Sequence, residues 1–214
     1  MNKTSLLNKA YWLAIITIAY NLVEGTISVI YGLEDETLAL FGFGVDSFVE
    51  VISGVGILHM VIRMKNTEIE THDRFEKTAL TITGYVFYVL AIGLVVGSAI
   101  SIYLDIKPET TIVGIIVSLI SIVTMYFLMN AKLKVGKALD SAAIIADANC
   151  TKTCFYLSFI LLAASALYSL FGIQYFDSLG SIGIAYFAYS EGKEALEKVK
   201  TGNMSCGCDS HCKV

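Results

Sequence analysis

Asp46 and Glu50 stand four residues apart inside the otherwise apolar stretch "LALFGFGVDSFVEVISGVGILHMVI", and Cys150 and Cys154 repeat that spacing in "DANCTKTC", just before another apolar run. Four residues advance a helix by about 6 Å and about 400°, so each pair projects from one face. Two oxygen ligands and two sulfur ligands on facing helices would form a tetrahedral set suited to zinc and softer ions. Packing is the other reading of the cysteines, because a free thiol behaves as a small buried hydrophobe. The carboxylates have no such easy explanation at membrane depth, where ionisable groups are costly and mark functional sites. Hydrogen bonds to Ser28, Ser53 or Ser158 are their bland alternative.

These residues can be placed only once the elements that carry them are known. The chain has 214 residues, of which 56% are hydrophobic and 16% charged, with one proline and a mean hydropathy of +0.69. A soluble domain would have roughly 45–50% apolar and about 25% charged residues. The apolar residues also come in blocks, and about 20 in a row suffice to cross a bilayer. Spans are expected at 10–31, 37–62, 79–104, 111–130, 138–171 and 172–190, which predicts an all-α integral membrane protein with six transmembrane helices. Gly172, Gln174 and Asp177 in "FGIQYFDS" mark the last boundary. The first run is too long for the apolar region of a signal peptide.

Lys and Arg favour the cytoplasmic side when they lie in short loops near helix ends. With the N-terminus inside, every one of the 15 basic residues except Lys107 and Lys152 falls on the inner side, while Glu34, Asp35, Glu36, Asp105 and Glu109 fall outside. Both termini are therefore expected in the cytoplasm. The chain divides into a cytoplasmic N-terminus (1–9), a transport-sized bundle (10–192) and a cytoplasmic tail (193–214), as a multi-pass protein of the cell membrane with the lipid bilayer as partner.

Other polar residues qualify this picture. Asn21 and Glu24 share a face of the first helix and either line an ion path or make interhelical hydrogen bonds. Asp147 caps or orients the fifth helix. Asp177 attracts cations at the outer mouth or caps the sixth helix. Lys152 points about 200° away from both cysteines on an ideal helix. It is expected to pair with Asp147 or Glu24 or to snorkel, the sharper alternative being that its charge lowers the thiol pKa values. The tail "NMSCGCDSHCKV" gathers Cys206, Cys208, His211 and Cys212, a density that reads as accessory metal capture.

The residues now resemble a known family. "VDSFVEVISG" resembles the second transmembrane helix of the cation diffusion facilitators, with its D-x-x-x-D pair, and "SAAIIADANCTKTC" is similar to their fifth, with Ser141, Ala146 and Asp147 in matching places. The "THDRFEK" loop and the run "FDSLGSIGIAYFAYSEGKEAL" extend the resemblance over about residues 10 to 200. It implies a six-helix, proton-coupled exporter of divalent metal whose site falls on Asp46, Glu50, Cys150 and Cys154. Many members continue into a folded cytoplasmic domain that helps them dimerise, and this chain resembles a short form without it. A homodimer through the helices, packed at "GFG" and "SGVG", is the remaining expectation.

The two cysteines replace His and Asp of the family pattern and move the expected substrate toward zinc, cadmium or mercury. Two carboxylates and two thiolates cannot all be ionised in a low-dielectric setting, and metal binding requires their deprotonated forms, so metal would exchange for protons. The alternative is a membrane-embedded thiol protein, a metal sensor or redox carrier, which would need the cysteines but not the carboxylates. No nucleophile elbow, phosphate loop or dinucleotide fingerprint is present, so no enzyme activity, organic cofactor or nucleic-acid partner is expected.

Overall fold

The computed structural model describes residues 3–35, 37–67, 74–109, 111–173 and 175–201. These residues form six α-helices: α1 (Lys3–Glu34), α2 (Leu38–Thr67), α3 (Arg74–Tyr103), α4 (Ile112–Leu139), α5 (Ala142–Phe171) and α6 (Tyr175–Thr201). By length and composition, α1 to α5 can each cross a membrane. Helix α6 has 27 residues, enough for roughly 40 Å, but its second half carries Glu191, Lys193, Glu194, Glu197, Lys198 and Lys200. Its apolar first half is the part suited to lipid depth.

The boundary between α4 and α5 differs from the sequence reading. Helix α4 continues past residue 130 through Leu139, and α5 starts at Ala142 rather than residue 138. Nothing in "AKLKVGKAL" stops a helix, and Asp140 supplies the break instead by adopting left-handed geometry at φ 52°. Ser141 then caps α5 by accepting a hydrogen bond from the Ile144 N–H at 3.4 Å. Helix α5 ends where expected, at Gly172 with φ 65°, a conformation that glycine adopts without a Cβ penalty.

The helices associate in the pairs α1–α2, α3–α6 and α4–α5, and α2 also touches α3, α5 and α6. The bundle is inside-out relative to a soluble protein. Trp12, Val89, Ile92, Phe127, Leu170 and Leu179 face outward, while Asn21, Ser28, Ser98, Ser118, Ser121 and Ser158 are buried. Lipid tails give apolar side chains no reason to hide, so small and polar residues occupy the contacts. Two dry clusters flank the middle: Leu40, Phe43, Leu94, Leu161 and Ile184 on one side, and Leu7, Met60, Val61 and Ile144 near the ends that carry most of the Lys and Arg.

Glycines set the α1–α2 approach. A Cβ at Gly32 would lie 2.5 Å from the Phe41 backbone nitrogen, and one at Gly44 would lie 2.7 Å from that of Val29. Gly42 of the same "GFG" accepts Leu94, so these glycines serve packing within the chain. Gly32→Ala must push two backbones apart and should cost about 1–3 kcal/mol. A lower melting temperature in detergent would show it; an unchanged one would mean that the helices cross elsewhere.

Candidate metal site

Helices α2 and α5 meet at Asp46 and Cys154. The Cys154 thiol donates to Asp46 Oδ2 at 3.1 Å, with both residues buried. Glu50, one turn along α2, neighbours the same thiol and accepts a hydrogen bond from Asn21 Nδ2 at 2.6 Å. Asn21 therefore sits at the site as a second-layer partner that aims the Glu50 carboxylate. Cys150 lies one turn away from Cys154 on α5 and is half-buried. Among the described residues, no three His, Cys, Asp or Glu side chains converge on one point. The thiol and the two carboxylates are thus gathered but not closed into a ligand shell, and drawing in Cys150 requires side-chain rearrangement.

Hydroxyl groups surround these side chains. Ser158 lies 2.9 Å from Ser121 and donates to the Cys154 carbonyl oxygen at 2.8 Å. Thr153 donates to Glu191 on α6 at 2.9 Å. Glu24 accepts from the Tyr20 hydroxyl at 2.8 Å and lies 3.2 Å from Ser47 Oγ.

Lys132 is the group that sequence reading placed wrongly. Once α4 continues through it, its side chain is 2% exposed and its Nζ lies 2.9 Å from Asp147 Oδ2 and 2.9 Å from Thr151 Oγ1. Asp147 is therefore bound to Lys132, not to Lys152, and Glu24 is held by hydroxyls. Lys152 is half-buried, with its Nζ 5.8 Å from the Tyr156 ring centroid. One lysine of three in "MNAKLKVGK" looks like any interfacial lysine, and only helical phase relative to Asp147 and Thr151 would have singled it out.

Asp177 is also reassigned. Its carboxylate accepts from the N–H groups of Leu38 at 3.0 Å and Ala39 at 3.2 Å, so a residue of α6 caps α2 and not its own helix. A carboxylate suits the positive end of that helix dipole. Asp177→Ala should lower stability by about 1–2 kcal/mol, read as a fall in melting temperature, with metal affinity unaltered. An altered affinity would give Asp177 a part in the ion path instead. Cys206, Cys208, His211 and Cys212 lie outside the described residues.

Six helices with apolar outer faces and an ionisable interior define a multi-pass membrane protein. Residues 14–199 match the model of the cation efflux transmembrane domain, and the chain belongs to the cation efflux family. A relative described as an uncharacterized transporter, from Methanocaldococcus jannaschii, is 29% identical over 182 residues, covering 80% of this chain and 62% of the relative. The chain thus spans less than two thirds of that relative's length.

Proposed function

We propose that the protein exports a soft divalent cation of the zinc, cadmium or mercury class in exchange for protons. The cation is held by Asp46, Glu50 and Cys154, with Cys150 completing the set. The buried Cys154–Asp46 contact carries this reading. A thiol and a carboxylate from different helices meet between two dry clusters, in a chain of the cation efflux family.

The contact also suggests how protons are coupled. A thiol that donates to a carboxylate still holds its proton, and a metal-bound sulfur is a thiolate. Arrival of a divalent ion therefore displaces the Cys154 proton, and departure of the ion takes it back. Sulfur ligands favour soft ions, whereas an all-oxygen shell would favour magnesium or manganese.

Purified protein in proteoliposomes, offered zinc, cadmium, mercury or copper across an imposed pH gradient, tests this directly. Uptake of a soft metal with counterflow of protons is expected, and Cys154→Asp should move preference from cadmium toward zinc. If metal moved without any proton counterflow, the antiport would be wrong; if no metal moved, so would the transport site.

A further inference from the structure

Glu24 is a buried carboxyl group, 5% exposed, that the metal site does not use. We propose that it is a proton-carrying site coupled to the metal site but separate from it. Glu24 would then supply one of the protons exchanged in the antiport proposed above, on which this assignment rests.

Counting hydrogens motivates it. Ser47 Oγ lies 3.2 Å from Glu24 Oε2 and 3.1 Å from the Phe43 carbonyl oxygen. Each of these two oxygens would accept the hydroxyl hydrogen, and a serine has only one. A proton on Glu24 Oε2 removes the conflict, because Glu24 then donates to Ser47 while Ser47 donates to Phe43. When that proton leaves, Ser47 must turn its own hydrogen from Phe43 to the carboxylate. Ser47 is thus a reader of the Glu24 proton, and it is adjacent in sequence to Asp46.

The surroundings supply hydroxyls but no balancing cation. Tyr20 donates to Glu24 Oε1 at 2.8 Å. Helix α2 presents Ser47 together with the acidic side chains of Asp46 and Glu50, and α4 presents Ser121 and Thr124. Helix α5 adds the Cys154 thiol and Ser158, which meets Ser121 at 2.9 Å. Among the described residues, no Lys, Arg or His pairs with Glu24. A carboxylate at this depth without a cation is costly, so the site alternates between holding a proton and being balanced by a charge nearby.

A second observation points to the same face of α1. Asn21 and Ser28, three residues before and four after Glu24, are fully buried, and Asn21 Oδ1 and Ser28 Oγ have no hydrogen-bond partner among the described residues. Residues at these spacings share a face. Asn21 also bonds Glu50 through its amide nitrogen, which ties this stripe to the metal site.

The exchange balances simply. With a divalent ion at Asp46 and Cys154, the Oε2–H bond of Glu24 breaks, the proton passes to cytoplasmic water, and the carboxylate charge offsets part of the metal's. When the metal leaves, Glu24 takes a proton again. By linkage, protonating Glu24 weakens metal binding by the factor by which metal weakens protonation.

Titration calorimetry of the full chain in detergent, with cadmium and several buffers of different ionisation enthalpy near neutral pH, counts the protons released per metal. Glu24→Gln keeps the shape of the protonated side chain, so near neutral pH it should still bind cadmium, more weakly by the linkage factor, while releasing up to about one proton fewer; Glu24→Asp should restore the count. Equal release by wild type and E24Q would overturn the Glu24 assignment alone. Loss of cadmium binding in folded E24Q would make Glu24 a metal ligand and overturn it too. If the wild type bound no metal, the metal reading would fall and this assignment with it. Dependence of the E24Q difference on replacing sodium by choline would show that a monovalent cation, not a proton, is held.

An infrared difference spectrum supplies a test that does not need E24Q to fold. The protonated-carboxyl band lost on cadmium addition should move to higher frequency in Ser47→Ala, which removes the hydrogen-bond partner. A band unmoved by S47A would overturn the proposal.

Discussion

Asp46→Asn should lower affinity for cadmium or zinc by about 100-fold or more while leaving the apo fold unchanged. The expectation comes from the two states of the Cys154–Asp46 contact. Without metal, the thiol donates to Oδ2, and an Asn side-chain oxygen accepts that hydrogen bond equally well. With metal, the same position must supply negative charge in a buried setting, which an amide cannot do. Loss of outer-layer partners alone commonly costs about 10–100-fold in metal affinity, so loss of a charged ligand should cost at least the upper end. Calorimetry of the detergent-solubilised variant, beside its melting curve, separates the two effects. Wild-type affinity in D46N would remove Asp46 from the site, and a collapse in melting temperature would mean that its main work is packing.

Lys132→Met should destabilise the protein by about 3–5 kcal/mol, because it leaves a buried carboxylate without its counter-charge. Lys132 and Asp147 are 2% and 11% exposed at their side chains, and their charged atoms are 2.9 Å apart. The double variant Lys132→Met with Asp147→Leu removes both charges and should regain most of the loss, since replacing a buried pair by apolar groups is often neutral or stabilising. Melting temperatures of the two single variants and the double variant form a thermodynamic cycle. Additive losses would show that the two groups do not depend on each other. A functional consequence accompanies the structural one: the pair ties α4 to α5 one turn from Cys150, so K132M should also loosen the register in which α5 presents its thiols.

The alternation of apolar blocks and polar breaks was enough to place six helices, because hydropathy acts on each segment separately against lipid or water. The four-residue spacings of Asp46 with Glu50 and Cys150 with Cys154 were legible too, since helical phase is local. "AKLKVGKAL" misled because a basic run usually marks an interface, whereas here its lysines continue a helix. The break moved to Asp140, where only backbone geometry shows it.

What the chain determined by itself, then, was its family membership, its number of helices and the faces on which its acids and thiols project. The tertiary structure decided which faces meet. It set the Cys154 thiol on Asp46, aimed Asn21 at Glu50, buried Lys132 against Asp147 and turned Asp177 away from its own helix to cap α2. Each of these depends on the rotation of one helix about its axis and on the identity of its neighbour, and neither quantity is written in the hydropathy of a single segment.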